Sequence, residues 1–310
     1  MRINFRTIKI FIKIFIIHRI LTPSFSNAEQ LNPKVHNSFC EVAVDLTTDN
    51  WSVSIRNSGI FCIGSTLKQT FPLIRLTHQA VPMSPLISIF SSNVTVDLMN
   101  RNLSAQTPTG QGVVAEDTSR MPRHTIEIRS GTIRTASQPT IFMVNSWNSN
   151  NVRFGSGRFA IAESAGDLTQ YKPTEFVLEN LTLTAENHVI IMQGMNNIIR
   201  HCKIIGGNGT VNVFGPNLIF EDNEIILHAR AQAEASDQAP AALYLEDAAG
   251  SVVRNNRITI KGNTSGSQAI VLKNSPNVTL QGNTISGTDS LYNLLDEQSS
   301  VMATDNHLNR

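Results

Sequence analysis

The sequence predicts an all-β fold, a parallel β-helix solenoid of about nine coils. Three observations predict it. Apolar triplets recur every 21 to 33 residues along most of the chain. Apolar and polar residues alternate within each unit, as in Val278-Thr279-Leu280 and Ile258-Thr259-Ile260, which is the two-residue period of a strand. And asparagine returns at one position of the repeat.

In chain order, residues 1–28 read as an export signal. Arg2, Arg6 and Lys9 form a basic start, Ile10 to Ile17 an apolar stretch broken by Lys13, and Ser26-Asn27-Ala28 a small-residue cleavage site. This predicts a secreted or periplasmic protein. The stretch is shorter than the roughly 20 apolar residues of a membrane span, so no integral membrane domain is expected. Residues 29–92 precede the regular repeats and hold the first strands. Cys40 and Cys62 both lie there and can pair, whereas Cys202 sits inside a repeat as a small buried thiol.

The repeats fill residues 93–310. Each has an apolar residue three before, and another two after, a small or Asn position: Leu98/Arg101/Leu103, Ile128/Gly131/Ile133, Phe154/Gly157/Phe159, Ile199/Cys202/Ile204, Phe220/Asn223/Ile225, Val253/Asn256/Ile258, Leu280/Asn283/Ile285 and Ala303/Asn306/Leu308. Residues 175–183 fit with a shorter turn centred on Asn180. Gly215-Pro216-Asn217 and Ser275-Pro276-Asn277 break the units with turn formers. A second strand precedes each later centre, as in Leu243-Tyr244-Leu245 and Ile270-Val271-Leu272. No unit can bury its apolar face alone, so the stack is the folding unit. Asn180, Asn223, Asn256, Asn283 and Asn306 are expected to form a ladder at one bend, each amide supplying a donor and an acceptor.

The segments NVTVDLMNRNLS (93–104), HTIEIRSGTIRT (124–135), NNRITIKGN (255–263) and NVTLQGNTISG (277–287) resemble the right-handed parallel β-helix proteins of the pectate-lyase-like superfamily. The leading SIRNSGIFCIGSTL (54–67) looks like the N-terminal capping segment of such proteins. The resemblance spans roughly residues 50–310 and implies stacked coils with polysaccharide substrates or ligands; activity has to be argued from sites. Calcium follows only by analogy with that superfamily, since no calcium-loop motif is present and no other cofactor or metal is expected.

Net charge is +1 with 16% charged residues, which removes the electrostatic case for nucleic acid. The polygalacturonase-like motif set is absent, and Arg120-Met121-Pro122-Arg123 does not meet the pectate-lyase Arg-x-Pro-x-x-Arg pattern. The remaining constellation comes from register. Leu245, Leu272 and Leu295 each lie 11 residues before the Asn of their coil, so Glu246, Lys273 and Asp296 are expected to stack outward. Gln193 and Phe214 extend the column, and Tyr244 shares the face of Glu246. In the resembling enzymes this strand's outer face is the substrate groove.

Two coils would separate Glu246 from Asp296 by about 9.6 Å, near the roughly 6.5–9.5 Å of an inverting glycosidase. In a lyase or epimerase, Lys273 or Tyr244 would be the base and Glu246 would orient it. The competing explanation is a charge ladder on a solvated face. The inserted segment 228–240 offers His228, Arg230 and Asp237 as substrate-binding groups that can reach toward Glu246. Trp51 and Trp147 suit either sugar stacking or an end cap.

The readings are therefore a lyase, epimerase or hydrolase acting on an acidic glycan, a non-catalytic carbohydrate-binding protein, or a structural and adhesive surface protein. The last ladder residue, Asn306, stands four residues from Arg310, which suggests a homo-oligomer through the C-terminal end of the helix.

Overall fold

Three parallel faces are built from one short strand per coil. The computed structural model describes residues 40, 42–44, 52–69, 84–107, 110–116, 123–144, 152–155, 158–161, 171–207, 209–229, 240–262 and 266–309. In a typical coil the first-face strand Ile198–Arg200 turns through a short bend into the second-face strand Lys203–Gly206. A turn then leads to the third-face strand Val211–Phe214, and the next coil opens at Ile219–Glu221. Pairing between coils is parallel: Ile199 lies beside Phe220, Ile204 beside Ile225 and Val213 beside Leu245. The first two faces merge into one 17-stranded sheet because Ile126–Thr135 and Val177–Thr184 run through the bend unbroken. Among the described residues the third face has nine strands, from Val53–Ile55 to Tyr292–Leu294.

The two-residue alternation sends one set of side chains inward, where coils stack like on like. Phe220, Val253 and Leu280 form one such column, and Ile225, Ile258 and Ile285 another, all at most 1% exposed. Burying a side chain of this size is worth about 1.5–3 kcal/mol. That gain exists only because the next coil covers it, which is why the repeats fold as a stack.

The bend carries the ladder that the asparagines predict. Asn256 Oδ1 accepts from Asn223 N (2.9 Å) and Nδ2 (3.1 Å), Asn283 Oδ1 does the same for Asn256, and Asn306 Oδ1 for Asn283. Each Nδ2 also donates to a backbone carbonyl of the preceding first-face strand, Ile199, Phe220, Val253 or Leu280. Cys202 continues the series: its N donates to Asn223 Oδ1 at 2.9 Å, and its Sγ donates to Leu178 O.

Asn180 does not belong to the ladder. Glu179 pairs with Arg200 and Thr182 with Lys203, so the position beside Cys202 is Leu181, buried at 2%. Asn180 instead joins His201, Asp222, Asn255, Gly282 and Asp305 in the column of left-handed residues just before the ladder, with φ between 54° and 63°. Asparagine tolerates that conformation, which is why the same residue type fits two neighbouring roles.

One further feature differs from the sequence reading. The Phe154/Gly157/Phe159 unit is not a coil: Val152–Gly155 and Arg158–Ile161 pair antiparallel as a separate two-stranded sheet. The coil register passes directly from Gly131 to Leu181, so residues 145–170 are an insertion after the third-face strand Ile141–Val144. The leading segment holds strands, as expected, and supplies one to each face: Gly59–Ile63 pairs with Val94–Asp97, Leu67–Gln69 with Asn102–Ala105, and Val53–Ile55 with Ser84–Ile89. Cys40 is disulfide-bonded to Cys62 beside the first pairing among the described residues, Val42–Val44 on Phe61–Ile63. Residues 1–28, Trp51 and Trp147 lie outside the described residues.

Candidate functional site

The sequence places Gln193, Phe214, Glu246, Lys273 and Asp296 in one outward column of the third face. Four of the five are there: Gln193 lies beside Phe214, Phe214 beside Glu246, and Glu246 beside Lys273. Asp296 is not. Leu272 pairs with Leu294, not Leu295, so Asp296 falls in the turn beyond the column. There it accepts from Asn274 N (2.6 Å) and from Ser299 N and Oγ. Its burial opposes ionisation, yet these donors outweigh it and hold the carboxyl below its usual range. The adjacent leucines left two registers open, and the carboxylate pair of an inverting glycosidase does not form.

The column is also not an open surface over most of its length. Phe142, Val144, Tyr171, Ile191, Phe214, Tyr244 and Val271 form a second apolar cluster on the outside of the third face. Gln193, Phe214 and Glu246 are buried, Glu246 at 1% exposure. A buried carboxylate is costly unless every oxygen is served. Here Tyr244 Oη donates to Glu246 Oε2 (2.8 Å) and Lys273 Nζ to Oε1 (2.8 Å).

The next residue repeats the pattern. Asp247, fully buried at a left-handed φ of 55°, accepts from Tyr171 Oη (2.6 Å) and from Asn274 Nδ2. Consecutive carboxylates thus meet consecutive partners on the neighbouring coil, Lys273 and Asn274, and each also takes one phenol. Burial, followed by the charge of Asp247, pushes the Tyr171 hydroxyl far above its ordinary range, so it remains a proton donor. Tyr244 is set against Phe214 edge-on, with ring centroids 6.1 Å apart. Of the cluster only Lys273 is largely solvent-reaching.

Tyr171, Asp247 and Asn274 are members that the residue pattern did not single out. Asp247 and Asn274 follow Glu246 and Lys273 directly, so the same alignment contained them. Tyr171 has no such signal, because it returns from the long insertion after Val144.

A charge ladder does exist, on a different face. Asp97, Arg129, Glu179, Arg200, Glu221 and Arg254 occupy successive coils of the first face and alternate in sign. Arg129 pairs with Asp97 at 3.0 Å, Arg200 with Glu179 at 3.1 Å, and Arg254 with Glu221. Asp97 is buried at 7%, while the arginines of these pairs are partly exposed to solvent, so the pairs beyond Asp97 are worth little individually. Glu246, with its side chain 2% exposed, lies deeper than any acid of that ladder.

His228 is not brought to Glu246. It lies exposed on the second face beside Lys261, whereas Glu246 ends the third-face strand that follows. Arg230 and Asp237 lie outside the described residues. His201 is exposed between Glu179 and Asp222, 3.9 and 3.8 Å away. His188 is largely buried, with Nδ1 2.8 Å from Gly209 O and 3.0 Å from Asn212 Nδ2, and burial lowers its pKa to about 4.

Among the described residues no group of three or more His, Cys, Asp or Glu gathers as a metal site. Calcium takes six to eight oxygens, and the Glu246 and Asp247 oxygens each already accept a donor, so this cluster does not fit it. No helix of the described residues is long and apolar enough to cross a membrane.

Residues 140–306 match a family model described as the right handed beta helix region. No curated protein and no solved structure gives a significant match.

Proposed function

Because the chain belongs to the right-handed β-helix family, we propose that it is a polysaccharide-directed protein of the periplasm or cell exterior in which Lys273 meets an acidic sugar. The observation that carries this reading is a contrast within one ion pair. The Lys273 side chain is 46% exposed while that of Glu246, 2.8 Å away, is 2% exposed. An anchored ammonium loses less freedom on binding than a mobile one. It has three donors, so serving Glu246 leaves others for the carboxylate of a glycan.

Paired in this way, Lys273 offers a positive charge and not a free amine, so it recognises more readily than it abstracts. A lyase or epimerase reading has one specific support, the Tyr244 hydroxyl bonded to Glu246. In that reaction Lys273 neutralises the sugar carboxylate and so acidifies the proton on the neighbouring carbon. Tyr244, passing its phenol proton to Glu246, accepts that proton; in an elimination the electron pair left on carbon forms the C=C bond as the glycosidic C–O bond breaks, and the leaving oxygen takes the proton from Glu246. A hydrolase built on Glu246 and Asp296 has no comparable support. Export is supported by the Cys40–Cys62 disulfide, a bond that persists in oxidising compartments.

The test incubates the protein with a panel of acidic and neutral polysaccharides, following binding by calorimetry and products by mass spectrometry. Lys273→Ala and Glu246→Gln run in parallel, with circular dichroism as the fold control. Binding of acidic polymers that weakens about tenfold or more in folded Lys273→Ala supports the proposal. Unsaturated or epimerised products lost in Tyr244→Phe would establish the catalytic form. No binding across the whole panel would sink the polysaccharide reading.

A further inference from the structure

A second surface, at the edge of the second face where the chain turns toward the third, has a shape and chemistry of its own. Two outward columns run there in register. One is Arg134, Thr184 and Ile205; the other, two residues further along each strand, is Gln106, Ala136, Glu186, Gly207 and His228. Together they line a groove of about 520 Å³. It crosses five coils, or four strand spacings, roughly 19 Å along the helix axis.

The groove exists because the second column is interrupted. Glu186 and His228 are exposed, and between them Gly207 carries no side chain. None can be placed there, since a Cβ on Gly207 would lie 2.0 Å from Glu186 O. The adjoining Gly206 is likewise enclosed, a Cβ there meeting Val189 at 2.6 Å and Asn187 O at 2.9 Å. Backbone packing thus fixes a bare floor, with Arg134 and Thr184 on one wall and Gln106, Glu186 and His228 along the other.

We infer that this groove binds an extended oligosaccharide strand, reading its hydroxyl groups rather than its charge. Three features of the groove carry this. The groove is long and follows the helix axis, whose coil spacing of ~4.8 Å is close to the advance per ring of an extended pyranose chain. Its walls mix donors and acceptors: Arg134 donates only, Glu186 accepts, and Gln106, Thr184 and His228 do both. The planar ends of Gln, Arg, Glu and His suit paired hydroxyls on neighbouring sugar carbons, while Ala136, Ile205 and the glycines leave apolar ground for ring C–H faces. Arg134 and Glu186 offset one another in charge, so a neutral strand is accepted as readily as a uronate. The inference rests on the polysaccharide reading but concerns a site separate from Lys273, on a different face of the helix.

The experiment titrates the full chain with xylo-, cello- and galacturono-oligosaccharides of increasing length, read by calorimetry. The variants are Arg134→Ala/His228→Ala, Thr184→Trp, which places an indole in the groove, and Lys273→Ala. All are exposed or half-exposed surface positions, and circular dichroism with a melting curve confirms each fold. The expected result is affinity that rises with strand length and levels off once the groove is spanned. For the neutral strands it falls about tenfold in the double variant and is abolished by Thr184→Trp; for the galacturono-oligosaccharides the same variants remove the groove's share of the binding and leave that of Lys273. Wild-type affinity in folded Thr184→Trp would overturn the groove. Loss confined to Lys273→Ala would also overturn it, while leaving the polysaccharide reading in place. Absence of binding by every oligosaccharide and every variant would overturn both.

Discussion

Replacing Asn256 with alanine tests whether the ladder holds the stack together. Asn256 is 1% exposed, and its amide makes four hydrogen bonds. Oδ1 accepts from Asn223 N and Nδ2, and Nδ2 donates to Phe220 O and Asn283 Oδ1. Alanine leaves Asn223 N–H buried beside a methyl group, in a space with no obvious route for water. Orphaning a buried donor costs about 1–3 kcal/mol, and the lost bonds add about 1 kcal/mol. The sum is a destabilisation of about 2–4 kcal/mol. Asn306→Ala is the internal control: Asn306 makes the same kinds of bond to Asn283 but is only half-buried, on the last rung described. Water can replace its Oδ1, so its cost should stay near 1 kcal/mol. Urea unfolding followed by far-UV circular dichroism measures both, with a second probe to check that the stack unfolds as one unit. Equal losses for Asn256→Ala and Asn306→Ala would refute the reasoning, because burial of the orphaned groups would then not set the cost.

Two other expectations follow from the same structure. The Cys40–Cys62 bond closes a separation of 22 residues, so the Cys40→Ser/Cys62→Ser double variant should lose about 3 kcal/mol; an unchanged melting temperature would count against its clamping the first strand. The second concerns His188, whose pKa burial lowers from 6.5 to about 4. Below pH 6.5 the unfolded chain takes up a proton that the folded chain refuses. Stability should therefore be intact above pH 6.5 and fall by about 3 kcal/mol as pH drops toward 4. A His188→Gln variant should lose that slope between pH 6.5 and 4, and an unaltered slope would show another group to be responsible.

Much of the solenoid was legible because its repeat is enforced by contact between identical positions. Asn223, Asn256, Asn283 and Asn306 could be aligned without a structure, since on these coils the amide at the buried bend serves the neighbouring coil. The same logic put Phe214, Glu246 and Lys273 in one column. It faltered where two registers or two topologies satisfy one pattern. Leu294 and Leu295 are both apolar, and only the pairing with Leu272 removes Asp296 from the column. Asn180 stands one residue from Leu181, and asparagine suits both the ladder and the left-handed position before it. Apolar residues flanking Gly157 describe a hairpin as well as a bend, and only the antiparallel partner distinguishes them.

What the sequence by itself determined is therefore periodic: strands, bends, the inward and outward sides, and which residues could stack. Those properties depend on local conformation and on neighbours one coil away. What only the tertiary structure decided is environment. Nothing in the residues around Glu246 tells whether water reaches it, because that depends on side chains such as Tyr171 returning from distant parts of the chain. Likewise the gap at Gly207 becomes a groove only when Glu186, Thr184 and His228 from neighbouring coils close around it. Burial and cavities are made by contacts that sequence proximity does not encode, and they separate a solvated charge ladder from a site.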